Sequence, residues 1–496
     1  MPNLVAYIVL FTFPLVVVIL FKRLPLQHAL VWSIIAGYLL LPLRAGFDLP
    51  GLPPVDKTLI PAGCASLMCL IASRAEPHPF KIVRGQTMFL GLIALLTIGP
   101  IITALQNGEQ IIIGGTYLPP LRLYDSASMT LGMLVMILPF LLGRRYLGTE
   151  ERQRILLRVI VFSMLAYSPL ILFESRMSPQ LNQMIYGFFP HIFEVHVRGD
   201  GYRPLVFLNN GLWLAIAVAT AFVSSLAMMR LGANGRARTK WMMAALYLFF
   251  VLLLCRSLGP LSLSLLAAPL ILVLGPRLQL LIAAILAATV LLYPVLRGSG
   301  LVPTEYVYQL ALSISEERAH SLDFRLENED LLLEKAEQKP LGGWGSWGRN
   351  FVYDDEGRNI STTDGYWIIV IGAYGWIGYL AQFGLLTVPM ILLGLARNRL
   401  SLGLVSSCLG VVMSINLIDQ IPNATVSPIV WLIAGSMMGL YQTAPLRGTA
   451  TQKAPESAPA TDPAPPPKLA YRREFTKPSR RHVSSSNKTT RFENRH

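Results

Sequence analysis

The chain has 496 residues, 53% hydrophobic and only 14% charged, with a formal net charge of +14. A charged share so far below the roughly one quarter usual for soluble domains excludes a soluble globular protein and indicates a polytopic membrane protein. Much of the positive excess lies in turns between apolar runs and in the C-terminal tail, so it reads as a topology signal and no nucleic-acid partner is expected.

The first apolar run starts almost at Met1, lacks a basic leader and is followed by Lys22-Arg23, which marks a retained span. Runs long enough to cross a hydrocarbon core of about 30 Å place spans near 4–21, 26–43, 58–73, 87–105, 125–142, 155–173, 211–229, 241–255, 258–275, 278–296, 366–396, 401–418 and 425–441. Gly99-Pro100, Pro139 and Pro169 read as kinks within these spans. The fold class is all-α, with about 12–13 transmembrane helices. It divides into N-terminal helices (1–296), one large loop (297–365), C-terminal helices (366–443) and a Pro-rich, then basic, disordered tail (444–496).

Alternate turns differ in basic content. About sixteen Lys and Arg, from Lys22 to Arg399, fall in one set, and about seven in the other: Arg44, Lys57, Arg122, Arg176, Arg198, Arg203 and Arg256. The positive-inside bias then puts the N-terminus outside, the tail inside, and the 174–210 and 297–365 loops on the outer face. Cys64, Cys69, Cys255 and Cys408 sit in or beside apolar spans, which predicts neither a disulfide framework nor a metal site. His191 and His196, five apart, do not share a helix face, and no metal is expected.

Arginines on the basic-poor side are the first candidates for chemistry. Arg203 precedes a span in Tyr202-Arg203-Pro204-Leu205-Val206-Phe207-Leu208-Asn209-Asn210, and Arg256 occupies a tight turn between two spans. Both lie where a lipid-linked phosphate would sit, and guanidinium makes planar, bidentate, permanently charged contacts to phosphate; each also reads as an interfacial arginine with its head in water.

In the large loop, Arg325 leads into an amphipathic helix over Leu326 to Lys339, with Glu327, Glu329, Asp330, Glu334 and Glu337 on its wet side. Pro340-Leu341-Gly342-Gly343-Trp344-Gly345-Ser346-Trp347-Gly348 follows. Its glycines allow close backbone approach, and Trp344 and Trp347 suit either the membrane interface or stacking on a sugar ring. Asp354-Asp355-Glu356-Gly357 reads as a turn. Asp364 opens the next span, where it reads either as a helix cap or as a site carboxylate paired with Arg325.

Four blocks in this order resemble the O-antigen ligase/polymerase superfamily of bacterial membrane glycosyltransferases. They are Arg203 with Phe207 and Asn210; Arg256-Ser257; Arg325 followed by Ala336, Pro340-Leu341 and Gly342-Gly343-Trp344-Gly345; and Asp364-Gly365 with Gly375 and Gly378. The resemblance covers about residues 195–396. It implies a helical fold of the GT-C kind in the bacterial inner membrane and a glycan carried on undecaprenyl pyrophosphate at the periplasmic face, with neither metal nor nucleotide cofactor. It further implies that Arg203, Arg256 and Arg325 contact the lipid pyrophosphate. Ligases of this superfamily typically carry His-Asn where this chain has Asp364-Gly365, which favours a polymerase of exopolysaccharide or O-antigen repeats over a ligase. In that reading an acceptor hydroxyl attacks the anomeric carbon while Asp364 orients or deprotonates it. With a reference pKa of about 3.9, aspartate is a weak base, so Glu317 and Glu327 are alternative bases. A lipid-linked glycan transporter and a scaffold of a secretion complex are the readings from other classes. Beyond the bilayer and the lipid-linked oligosaccharide, a chain-length regulator or export complex is a candidate partner.

Overall fold

A computed structural model describes residues 1–48, 53–72, 83–198, 201–314 and 316–447. The tail from 448 onward and the turn carrying Arg74 and Lys81 lie outside the described residues. Up to that point the chain is helical: α1 (Leu4–Arg23), α2 (Leu26–Leu40), α3 (Leu59–Ala72), α4 (Gln86–Gln106), α5 (Leu123–Met136), α6 (Leu138–Tyr146), α7 (Glu150–Met177), α8 (Leu181–Tyr186), α9 (Gly211–Arg230), α10 (Gly235–Leu254), α11 (Leu258–Val273), α12 (Pro276–Gly298), α13 (Thr304–Ile314), α14 (Glu316–Glu337), α15 (Tyr366–Leu395), α16 (Leu404–Asp419) and α17 (Pro428–Thr443). The expected spans fall on these helices, that at 125–142 on two of them, and among the described residues eight helical segments are long and apolar enough to cross a membrane. The protein is a multi-pass, all-α membrane protein.

Side-chain size sorts the helices into inner and outer positions. In α9 and α16, Ala, Ser, Thr and Gly recur among the larger residues, and 16 of 20 and 14 of 16 residues are buried. Small residues let helix backbones approach where lipid offers no hydrophobic drive for association. Thr220 and Asn416 hydrogen-bond across that contact at 3.0 Å. By contrast α1, rich in Leu, Val, Ile and Phe, and α10 each bury only 4 of 20 residues, so they form the lipid-facing rim.

Pro139 divides the expected 125–142 span into α5 and α6, whereas Pro100 and Pro169 lie within α4 and α7. The 366–396 span differs more from expectation. Gly375, at φ +61°, interrupts α15, and the backbone of Pro340–Gly345 docks into the break. Trp376 N donates to Pro340 O at 2.7 Å, Trp344 N to Gly372 O at 2.9 Å and Gly345 N to Ala373 O at 2.8 Å. A Cβ on Gly343 would stand 2.6 Å from the Ala373 carbonyl carbon, and one on Gly375 2.3 Å from Leu341 O. The close approach expected of the glycine-rich stretch is therefore to an unwound helix, whose freed amides and carbonyls it satisfies.

The large loop is also more helical than its sequence suggests. Helix α14 begins at Glu316, ten residues before the expected Leu326, which places Arg325 mid-helix. Glu316 in its first turn suits the positive end of the helix dipole. The Asp354–Gly357 turn forms as expected, with Gly357 N donating to Asp354 O at 2.9 Å. It packs on a hairpin of Ile111–Ile113 and Thr116–Leu118, where Thr116 Oγ1 donates to Gly357 O at 2.6 Å.

Candidate functional site

The structure gathers the four charged candidates into two pairs. In the first, Arg203 donates through Nη2 to the Arg256 carbonyl at 3.4 Å. The Arg256 guanidinium lies against Gly201, where a Cβ would stand 2.5 Å from its Nη2; Gly211 makes equivalent room for the Arg203 stem at 2.3 Å. Arg256 itself turns the chain between α10 and α11 at φ +50°.

A set of buried groups fixes the segment after Arg203. Glu174, fully buried near the end of α7, accepts from Leu181 N at 3.0 Å, Leu205 N at 2.9 Å and Val206 N at 2.7 Å. Phe207 donates its amide to Tyr167 Oη at 3.1 Å and accepts from Lys57 Nζ at 3.0 Å. Asn210 caps α9 by accepting from Leu212 N and Trp213 N at 2.9 and 3.2 Å. Together these bonds hold Val206 at φ +53°, a conformation costing a β-branched residue on the order of 1–3 kcal/mol. Glu174 carried no signal in the sequence, where it stands one residue past the apolar run 155–173, at the start of the outer loop.

In the second pair, Arg325 Nε lies 3.3 Å from Asp364 Oδ2, both side chains about one-third exposed, at 32% and 35%. Arg325 Nη1 also donates to Pro422 O at 3.4 Å. Asp364 is not the helix cap: the N-cap of α15 is Gly365, and the first amide, Tyr366 N, is taken by the Gln420 and Asn423 carbonyls. An ion pair this exposed contributes roughly 0–1 kcal/mol to stability, so stability does not explain it. Beside it, buried Asp419 accepts from Thr425 Oγ1 at 2.5 Å and Asn423 Nδ2 at 2.9 Å and lies within electrostatic reach of Arg325.

One carboxylate expected on the wet face of the loop helix is not there. Glu327, Asp330, Glu334 and Glu337 are exposed, but Glu329 is 7% exposed. One turn beyond Arg325 on the same face, it accepts from Trp367 Nε1 at 3.3 Å and pairs with Arg297 Nε at 3.6 Å. Burial pushes its carboxyl from 4.5 up to about 7, outweighing Trp367 and Arg297, which pull it down. Hydrophobic periodicity missed it because Glu329 packs against the tryptophan that follows Asp364 by three. Of the alternative bases, Glu327 is exposed and the Glu317 side chain lies outside the described residues.

The two tryptophans part company. Trp344 is half-buried, its Nε1 donating to Lys335 O at 2.7 Å and its ring lying 4.7 Å from Lys335 Nζ and 4.4 Å from Lys339 Nζ. Trp347 is exposed at φ +58° and lines a cavity of about 420 Å³ between α5 and α15, with Met129, Met133, Met136, Tyr366 and Val370. Arg349, 1% exposed, donates to Pro119 O at 2.8 Å and Trp344 O at 3.2 Å. In the sequence it is one more arginine of the outer loop, directly after the glycine-rich stretch. His191 and His196 meet edge-on at 5.6 Å, because the segment between them is irregular with a short 3₁₀ turn. No protein-family model, curated protein or solved structure matches the chain.

Proposed function

We propose that the protein is a membrane glycosyltransferase that polymerises repeats of a bacterial surface polysaccharide at the periplasmic face of the inner membrane. Its donor is a glycan on undecaprenyl pyrophosphate, and its architecture is of the GT-C kind. The observation that carries the reading is the one-third exposed Arg325–Asp364 pair, in the same chain as the glycine-walled Arg203–Arg256 pair. The outward orientation rests on the basic-residue bias of the turns.

In this mechanism the acceptor hydroxyl oxygen attacks the anomeric carbon from the face opposite the leaving group. The C–O bond to undecaprenyl pyrophosphate breaks with inversion, and the hydroxyl proton passes to Asp364 or, through it, to water. The arginines neutralise the charge that develops on the departing pyrophosphate; each hydrogen bond to a charged group contributes about 1.5–3 kcal/mol. The methionine-lined cavity beside Trp347 supplies an apolar groove for the prenyl chain, and Trp347 offers an exposed ring for a sugar.

A transporter would use paired broken helices at a central binding site. Among the described residues the break in α15 is filled by Pro340–Gly345, which leaves no free backbone there for a cargo. The test is transfer by purified protein in detergent with a lipid-linked repeat unit as donor and acceptor. The reading expects a ladder of longer lipid-linked glycans; unchanged single repeats would contradict it, and transfer only to a lipid A acceptor would make the protein a ligase.

A further inference from the structure

The cavity of about 420 Å³ beside Trp347 has one wall on α5, where Met129, Gly132, Met133 and Met136 fall at i, i+3, i+4 and i+7 and so share a face. Ile369 and Val370 face them from α15. Among the described residues no charged side chain lines the space. Apart from Ser128, its hydroxyls are already bonded: Ser346 Oγ and Tyr374 Oη lie 3.1 Å apart, and Tyr366 Oη donates to Gln382 Oε1. Such a lining suits a hydrocarbon chain. Gly132 stands out within it. Glycine weakens a helix interior relative to alanine, a loss that close approach can offset, as at Gly99 of α4, where a Cβ would press on Ile377 at 3.3 Å. At Gly132 a Cβ would meet nothing within 4 Å. What this glycine provides is space, and the space is the cavity.

Volume turns this space into a length. A cavity of roughly 150 Å³ admits benzene, with its six carbons, so about 420 Å³ admits roughly seventeen carbons, or about three isoprene units. The cavity also adjoins the charged pair. Tyr366 follows Asp364 by two, and its amide is held by the Gln420 and Asn423 carbonyls, in the same turn whose Pro422 carbonyl accepts from Arg325. We infer that the cavity grips only about three isoprene units of the lipid carrier, those next to the pyrophosphate, and that Gly132 sets this length. The rest of an undecaprenyl chain stays in the bilayer. The methionine walls adapt to a branched, unsaturated chain, and Gly132 determines specificity for the carrier, not for the sugar.

This assignment rests on the glycosyltransferase reading, but its test uses binding and not turnover. The full-length protein in lipid nanodiscs is titrated with geranyl, farnesyl, geranylgeranyl and undecaprenyl pyrophosphate, and with dodecyl pyrophosphate, which has the main-chain length of farnesyl without its methyl branches. The chains start in lipid, so differences in affinity report packing in the cavity and not removal from water. Affinity is expected to rise about fivefold from geranyl to farnesyl and then to stay level within about twofold up to undecaprenyl, with dodecyl about fivefold weaker than farnesyl. Gly132→Leu adds side-chain carbons that take most of the space of one isoprene unit. It is expected to bring farnesyl binding down to the geranyl level while geranyl binding holds, a pattern that general damage to the fold would not give. Should it fail to fold, Ile369→Phe fills the space from the opposite wall and is expected to act in the same way. Affinity that keeps climbing to the undecaprenyl chain, equal binding of dodecyl and farnesyl, or a chain-length dependence unaltered in both variants would overturn the assignment. Failure of every chain to bind would overturn it together with the glycosyltransferase reading. The farnesyl plateau in a protein that transfers no glycan would instead count against the polymerase reading alone.

Discussion

The Arg203–Arg256 and Arg325–Asp364 pairs are built differently. The first depends on a buried carboxylate that holds three backbone amides, on Lys57, and on glycines that make room for both guanidinium side chains. The second spans a loop helix and the start of α15, is one-third exposed, and has the titratable Glu329 one turn away on the same helix. A rigid cradle suits a charge that stays in place through each cycle, and an open ion pair suits one that must exchange partners when substrate arrives.

The largest effect should come from breaking the rigid side. Glu174→Leu would leave the amides of Leu181, Leu205 and Val206 buried without an acceptor. At about 1–3 kcal/mol for each orphaned group, the expected outcome is loss of most folded protein, read by yield and thermal unfolding in detergent. A variant that unfolds like the parent would show that the loop is held by other means.

On the open side, Glu329 gives a smaller effect of defined sign. Its carboxyl is raised from 4.5 to about 7 in the fold, so the folded state holds a proton that the unfolded chain has released. Its contribution is fully present below pH 4.5, is lost as pH rises through 7 and is level above that. Glu329→Gln should flatten the fall in thermal midpoint across this window; an unaltered pH profile would remove Glu329 as its source.

Trp347→Ala should change least in stability. The residue is 58% exposed, and surface substitutions usually fall within about 0.5 kcal/mol. If its ring stacks on glycan, the same variant should shorten the polymer while the midpoint holds, measured by gel profile of the polysaccharide. An unchanged profile would confine Trp347 to the membrane interface.

Much of this organisation was legible in the sequence, and the misses share a cause. Hydropathy located the helices because each span needs its own apolar run; Arg203, Arg256 and Asp364 stood out as charges at span edges, and Arg325 as an arginine in the outer loop. Their pairing was only half legible: Asp364 could be matched with Arg325 in one loop, but nothing local in the chain joins Arg203 to Arg256. Glu174, Glu329 and Arg349 were missed because their partners lie on other elements, and a charge buried by tertiary contact looks in sequence like one facing water. The break at Gly375 was hidden for a related reason: its freed backbone is satisfied by Pro340, Leu341, Trp344 and Gly345, far back along the chain in the preceding loop. Lys57 counted only as a topology marker until the fold placed it beneath Phe207 and above Tyr38.

The most direct measurement of the central claim is the size distribution of surface polysaccharide and of lipid-linked oligosaccharide in a deletion strain, alone and with the Arg325→Ala chain restored at normal abundance. Removing one charge-assisted contact of about 1.5–3 kcal/mol predicts a fall in transfer of roughly ten- to a hundredfold. Single repeats on undecaprenyl pyrophosphate should accumulate in both strains, with long polymer absent from the deletion and nearly absent from the variant. Polymer of normal length and amount in the Arg325→Ala strain would contradict the site. Repeats trapped on the cytoplasmic leaflet would contradict the polymerase itself.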